Sequence, residues 1–252
     1  MRGVTVPEAR SHPVLRRYAL RSLRLPLGDS MLAVVLPDAN DWVRRGHWAA
    51  AAERGAEPPY WVQVWPAAVA MARLLCRFGD LRGRRVLDLG CGLGIPGISA
   101  ARAGAAVTFA DREQDALTFA QWNGARVAPA GVTPVIQRID WSREVVQGEF
   151  DAILLSDVSY RVLHHGPLRR QIEVGLAPGG CIVHADPMRS ESLAFLMKLR
   201  EDLVTLETNK ETHFDDKRVK VRLVVAARSR GDLRDWNRVV GQAAGRAEGN
   251  PS

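Results

Sequence analysis

From residue 85 onward, hydrophobic positions alternate between short apolar runs and longer stretches with helical spacing. Runs at 85–89, 106–110, 134–139, 150–158 and 181–185 predict strands, and the stretches at 96–103, 114–127 and 164–176 predict helices between them. Pro178-Gly179-Gly180 marks a turn before the last of these strands. Strands alternating with helices imply a mostly parallel sheet covered on both faces. After a further helix near 190–203 the period changes to two, with Val219, Val221, Leu223 and Val225 on one face. Segments 203–211 and 218–226 about Asp215-Asp216 therefore predict an antiparallel hairpin that closes the sheet.

Toward the amino end, Leu23, Leu25 and Leu27 alternate up to Gly28-Asp29, and a second apolar run fills 31–36, which predicts a β-hairpin. Residues 42–57 form an Ala- and Arg-rich bridge, helical or irregular, that Pro58-Pro59 stops. Tyr60 to Trp65 then leads into Pro66, a residue suited to the first turn of a helix, and Val69, Leu74, Leu75 and Phe78 mark its apolar face up to Gly79. The expected organisation is a flexible Arg-rich segment at 1–22, hairpin and lead-in at 23–65, an α/β domain at 66–228, and a polar, frayed tail at 229–252.

The segment with most chemical content is the strand Arg85-Val-Leu-Asp-Leu running into Gly90-Cys-Gly-Leu-Gly-Ile-Pro-Gly97 and then a helix. Glycines at 90, 92 and 94 allow positive φ and let the backbone touch a ligand with no Cβ in the way. Gly92 to Gly97 satisfies the G-x-G-x-x-G pattern of dinucleotide folds, but there the first glycine follows the strand at once. Gly90 has that place, and in its register Ile95 falls where a small residue is wanted. The run Asp88-x-Gly90-x-Gly92-x-Gly94 more closely resembles motif I of the Rossmann-like S-adenosylmethionine-dependent methyltransferases.

That resemblance implies a doubly wound, Rossmann-like, mostly parallel seven-stranded sheet with an antiparallel closing hairpin. It also implies S-adenosylmethionine as cofactor. Asp88 would meet the ligand's amino group and Gly90, Gly92 and Gly94 would lie under its amino-acid and ribose portions. Asp111, 19 residues after Gly92, ends the next strand, where a carboxylate can accept both ribose hydroxyls. Asp140 and Trp141, after the third strand, resemble the pair that accepts the adenine amine and covers the ring.

Two further segments narrow the family. Pro59-Tyr-Trp-Val-Gln-Val-Trp-Pro66, and Leu155-Ser-Asp-Val-Ser-Tyr160, are similar to the "W-P" segment and the D-x-x-Y motif of the seven-β-strand protein-lysine methyltransferases. The nearest look-alikes are the chaperone-lysine and electron-transfer-flavoprotein β-subunit types. Ala185-Asp-Pro-Met-Arg189 echoes a G-D-P-G-R segment of the latter, with Ala185 and Met188 in place of its glycines. By this resemblance Trp65 and Trp141 would flank the cofactor, Ser156 would border it, and Asp157 and Tyr160 would line the acceptor channel and do the catalytic work. Val158 and Ser159 stand where adenine-amine methyltransferases carry two prolines, which speaks against a nucleic-acid base as acceptor. A protein lysine is the expected acceptor; a small-molecule N- or O-methyltransferase and a non-catalytic S-adenosylmethionine-binding protein are the alternatives.

Other readings stay modest. Asp157 at a strand end could instead cap the next helix. Adjacent His164 and His165 point to different sides of a helix with no carboxylate spaced for a metal, so they are expected to be solvated or interfacial, and no metal site is expected. Cys91 suits a small filler. With Cys76 and Cys181 it makes three widely spaced cysteines and no C-x-x-C pair, so a reducing cytoplasm is the expected compartment.

Charge alters the picture least. The 252 residues carry 35 basic and 28 acidic side chains, a formal +7 that at face value suggests nucleic acid. Residues 1–24 contribute six Arg against one acid and 228–252 five Arg against three acids, so 25–227 balance at 24 against 24. The excess lies outside the region that carries the motifs. The longest uncharged run, 58–72, contains three prolines and is too short to span a bilayer, which takes about 20 apolar residues.

Overall fold

The computed structural model describes residues 6–55, 57–214, 217–237 and 240. In chain order the elements are α1 (Val6–Arg10), β1 (Leu20–Leu27), β2 (Ser30–Pro37), α2 (Ala39–Arg44), α3 (His47–Glu53), α4 (Pro66–Phe78), β3 (Arg85–Leu89), α5 (Ile95–Arg102), β4 (Ala106–Asp111) and α6 (Gln114–Val127). There follow β5 (Val135–Arg138), β6 (Phe150–Ser156), α7 (Val162–Gly175), β7 (Leu176–Asp186), α8 (Ser190–Asp202), β8 (Val204–Phe214) and β9 (Lys217–Ala227). Seven strands form one sheet in the order β5-β4-β3-β6-β7-β9-β8. The pairs from β5 across to β7 are parallel, while β9 pairs antiparallel with β7 and with β8. This is the expected doubly wound α/β fold with its closing hairpin; the expected Asp215-Asp216 turn lies outside the described residues.

The central strands β3, β4, β6 and β7 are buried on both faces, as parallel strands between helical layers must be. Alternate residues feed two apolar clusters: Val86, Leu154 and Val183 join α4, α5 and α6 on one side, and Leu87, Leu155 and Ile182 join α7 and α8 on the other. The order reverses at β3, with β4 on one flank and β6 on the other. A crevice opens at the carboxyl ends of strands at such a switch point.

Several boundaries differ from the expected ones for local reasons. Strand β6 stops at Ser156 rather than 158 because Asp157 takes a left-handed φ of 52°. Strand β7 begins at Leu176, so Pro178-Gly179-Gly180 is absorbed as an irregularity in register between Phe150↔Leu176 and Ala152↔Cys181. The 42–57 bridge becomes two short helices, α2 and α3, broken at Gly46 with φ 73°.

The two ends are more structured than their composition suggested. Residues 6–22 carry α1, a 3₁₀ turn and the start of β1, with Ala9 and Leu15 fully buried. Arg17 donates to Asp115 at 2.8 Å and the Tyr18 hydroxyl donates to the same carboxylate, so part of the basic excess is bound by the fold itself. At the other end Leu233 and Trp236 are buried, and the Trp236 ring lies 4.5 Å from that of Phe78. Residues 1–5 and 241–252 of the expected flexible ends lie outside the described residues.

The β1–β2 hairpin stands apart from the large sheet, and a buried side chain holds it there. Asn123 on α6 accepts the Val35 N–H at 2.9 Å and donates to the Val35 carbonyl at 2.8 Å, serving one residue of β2 as a neighbouring strand would.

Candidate active site

A hollow of about 300 Å³ lies at the carboxyl ends of β3, β4 and β6. Its floor is the turn after β3. Gly90, Gly92 and Gly94 have φ of 67°, 50° and 72°, so the positive φ expected from the pattern occurs at all three. A Cβ on Gly90 would fall 2.4 Å from Cζ3 of Trp141, and one on Gly94 would fall 2.6 Å from Cβ of Ala120. Glycine is required at both, for the backbone angle and for the neighbour's approach.

Asp111 ends β4 facing the hollow, with Oδ2 accepting the Gly92 N–H at 2.8 Å and Oδ1 that of Glu113 at 3.0 Å. Burial raises its pKa against those two bonds. Asp140 and Trp141 form part of the same wall. Asp140 Oδ1 accepts from the Ser142 hydroxyl at 2.6 Å and its backbone N–H at 3.0 Å, which lowers the Asp140 pKa. Ser156 borders the hollow, and its buried hydroxyl has no hydrogen-bond partner. Trp65 also lines the hollow, its indole N–H donating to the Tyr60 carbonyl at 3.1 Å.

Asp88 is placed differently from the other candidates. It is 1% exposed, does not line the hollow, and accepts the Gly97 N–H at 2.9 Å beneath the first turn of α5. Burial pushes its pKa up to about 7. Its observed work is to hold the glycine turn against the helix. Cys91 is the buried filler expected, its thiol pushed well up by burial and by the nearby Asp111 and Asp88.

Asp157 and Tyr160 both reach the hollow. Asp157 does not cap α7, whose first turn follows Arg161 without any side-chain cap. Its carboxylate instead receives a two-pronged ion pair from Arg189, Nε to Oδ1 at 2.9 Å and one terminal nitrogen to Oδ2 at 3.1 Å. The Tyr160 ring lies 6.2 Å from Tyr60 and 5.5 Å from His164, an aromatic bridge between the Pro59–Trp65 segment and α7. Burial raises the Tyr160 pKa, with Glu57 adding to it.

The two histidines correct the expectation of solvated side chains, since His164 and His165 are 9% and 3% exposed. They sit in the first turn of α7 and reach back to successive carbonyls of the D-x-x-Y loop, His164 Nδ1 to Val158 at 3.3 Å and His165 Nε2 to Ser159 at 3.1 Å. The Ser159 hydroxyl lies 2.8 Å from His184 Nε2 and donates to Ser192 at 2.9 Å. The loop is thus held by His164, which also lines the hollow, and by the buried His165, His184 and Ser192. Helical spacing alone concealed this, because the partners belong to a loop outside the helix.

Glu57 also joins the site. It lines the hollow and pairs with Arg112 at 2.7 Å and with Arg161, tying the segment before α4 to the end of β4 and to the loop after β6. Partial burial opposes ionisation, but hydrogen bonding and charge from Arg112, with charge from Arg161, leave its pKa lowered. No motif marked Glu57; an acid just ahead of the Pro-Pro stop was the available signal.

Known proteins resemble this chain in sequence and in fold. The family described as lysine methyltransferase has a model that matches residues 53–202. The protein N-lysine methyltransferase METTL21A of Danio rerio is 40% identical over 104 residues, covering 38% of this chain and 47% of that protein. The electron transfer flavoprotein beta subunit lysine methyltransferase of Rattus norvegicus is 32% identical over 103 residues, 40% of either chain. The chain spans less than half the length of these curated relatives. The crystal structure of N-methyltransferase NodS from Bradyrhizobium japonicum, in complex with S-adenosyl-L-homocysteine, superposes with a TM-score of 0.52 at 16% identity, over 71% of this chain and 98% of that one. At that identity the likeness is one of fold.

Proposed function

The chain belongs to the lysine methyltransferase family, and from that membership we propose that it transfers a methyl group from S-adenosylmethionine to a lysine side chain of a protein. The reading rests above all on one observation: a single hollow holds the glycine turn, Asp111, Asp140 and Trp141 together with Asp157 and Tyr160. A cofactor wall and an acceptor wall thereby face one space.

The residues present fit the cofactor. The turn at Gly92 borders the hollow and lies within van der Waals reach of Trp61, whose Cα would be 3.6 Å from a Cβ built there. The Ser156 hydroxyl is buried and unpartnered. Each Asp111 oxygen carries one backbone N–H and keeps a lone pair for a ribose hydroxyl. Asp140 Oδ2, with Arg143 Nε at 3.8 Å and no hydrogen bond, can accept from an exocyclic amine, and Trp65 and Trp141 add aromatic surface to the lining. Asp88 contributes by fixing the turn, and through it the position of Gly90 to Gly94.

S-adenosylmethionine supplies a methyl group activated on a sulfonium, so the protein's part is alignment and exclusion of water. The acceptor must be a neutral amine. With a pKa of ~10.4, a lysine is neutral in roughly one part in a few thousand at pH 7, a cost of about 4 to 5 kcal/mol unless the site favours the neutral form. Asp157 orients the amine by accepting its hydrogen bond, Tyr160 bounds the channel with its ring, and water takes the proton.

The acceptor is a protein rather than nucleic acid, a reading supported by the neutral body and by Arg17 being engaged with Asp115. No described helix is long and apolar enough to cross a membrane. Cys76, Cys91 and Cys181 are free thiols, which suits the cytoplasm as the place of action. Incubation with methyl-labelled S-adenosylmethionine and a cytosolic extract should place label in protein as methyllysine after acid hydrolysis, and Asp157→Ala should remove it. Label confined to low-mass material would move the acceptor to small molecules.

A further inference from the structure

Asp157 creates a difficulty for the reaction just proposed. A bare carboxylate beside a lysine favours the ammonium form, which is inert as a nucleophile. In this protein the carboxylate is not bare. Its side chain is 5% exposed and takes the Arg189 fork on both oxygens, at 2.9 and 3.1 Å.

Arg189 is held in place from its own loop. Its backbone N–H donates to Asp186 Oδ1 at 2.8 Å, and Met188 adopts φ 64°, the left-handed angle that the corresponding glycine would take without strain. Asp157 has φ 52°, and its N–H donates to the Ala185 carbonyl at 2.8 Å. Non-glycine residues in this region cost energy and persist only where surrounding structure imposes them. Two strained loops therefore meet in one ion pair. The Arg189 guanidinium also lies 5.9 Å from the Tyr160 ring. Arg189 is absent from the lining of the hollow, whereas Asp157 and Tyr160 belong to it.

We propose that Arg189 is a positioning residue of the acceptor site, its guanidinium cancelling the charge of Asp157 so that the carboxylate orients a lysine amine without stabilising it as an ammonium ion. The inference rests on the lysine reading above. The fork occupies one edge of the carboxylate and leaves a lone pair on each oxygen for the incoming N–H. The other ionisable groups around the pair do not replace this balance. Asp186 is buried beside Arg222 at 3.9 Å, Glu57 is committed to Arg112 and Arg161, His164 is bonded to the Val158 carbonyl, and His184 is buried against Ser159.

The test is the dependence of the initial methylation rate on pH, from 7 to 11, for the extract protein labelled by the wild-type enzyme. In Arg189→Gln the rising limb should move up by about one unit, so that the rate falls ~10-fold near pH 8 and the deficit narrows to ~3-fold near pH 11, above the ordinary lysine pKa of ~10.4. Arg189→Lys, which keeps the charge, should stay near the wild-type limb. S-adenosylhomocysteine affinity, read by calorimetry, checks that each variant is folded; if Arg189→Gln fails that check, the limb of Arg189→Lys against that of Arg189→Met decides. A uniform loss of rate with no shift, or no change at all, overturns the role of Arg189 and leaves the lysine reading standing. A wild-type enzyme that yields no methyllysine overturns both.

Discussion

The ring of Trp141 packs on the bare Cα of Gly90, so closely that a Cβ on that glycine would lie 2.4 Å from Cζ3 and 2.5 Å from Cη2. The end of β3 and the segment after β5 are thereby joined across the floor of the hollow, with the same glycine carrying φ 67°. Gly90 cannot gain a side chain while the Trp141 ring keeps its place.

Gly90→Ala should therefore displace Trp141 and strain the turn together. S-adenosylhomocysteine binding should fall by at least ~100-fold, equivalent to about 3 kcal/mol, while the far-UV circular dichroism stays that of the wild type. Isothermal calorimetry on the purified variant measures it, and near-wild-type affinity would remove the turn from the proposed cofactor site.

Ser156→Ala separates stability from binding. The hydroxyl is buried and unpartnered in the free protein, so its removal should leave urea stability unchanged or slightly raised. If the hydroxyl faces cofactor, affinity for S-adenosylhomocysteine should drop ~5- to 10-fold, in keeping with one hydrogen bond of about 1 to 1.5 kcal/mol.

Asn123→Ala strips both partners from Val35. Leaving a buried N–H and a buried carbonyl unpaired should cost about 2 to 5 kcal/mol, visible as a lower urea midpoint with an unchanged slope. Asn123→Asp keeps the acceptor but sets a buried carboxylate against the Val35 and Phe119 carbonyls, so at pH 7 it should cost at least as much as Asn123→Ala.

Asp88 makes stability depend on pH in a defined direction. Its pKa in the folded protein is about 7, above the ordinary value of 3.8, so the native state holds a proton that the unfolded chain has released. Its contribution should be most favourable in mild acid and decline as pH rises from about 4 through 7. Asp88→Asn mimics the protonated acid and can still accept the Gly97 N–H. Relative to wild type it should gain on the order of 10- to 100-fold in the folding equilibrium constant between pH 5 and pH 8, as measured by urea unfolding at the two values. An identical pH dependence in both proteins would mean that Asp88 stays ionised when folded.

Much of this protein was legible in local pattern. The alternation of short apolar runs with amphipathic stretches set the parallel sheet, because strands and helices bury apolar side chains at periods of 2 and 3.6 wherever they occur. The D-x-G-x-G-x-G spacing located the turn, since three positive φ values in alternation leave few residue choices other than glycine. Asp111, Asp140, Trp141, Ser156, Asp157 and Tyr160 could be placed at strand ends by counting from that turn. Their meeting in one hollow follows from the strand order.

Relationships between residues distant in the chain were decided only in three dimensions. Arg189 lies 32 residues from Asp157, Asn123 lies 88 from Val35, and Glu57 lies 104 from Arg161. Composition also misread the first segment as loose and basic, although Ala9 and Leu15 are buried and Arg17 is engaged by Asp115. Adjacent helix positions face different sides, which suggested solvated or interfacial side chains at His164 and His165, yet both are buried where the adjoining loop turns its carbonyls toward them. Periodicity reports which face of an element is buried, a property of neighbouring residues. Which buried polar group meets which partner depends on how the elements pack, and Asp157 acquires its counter-charge only when β7 brings Arg189 alongside.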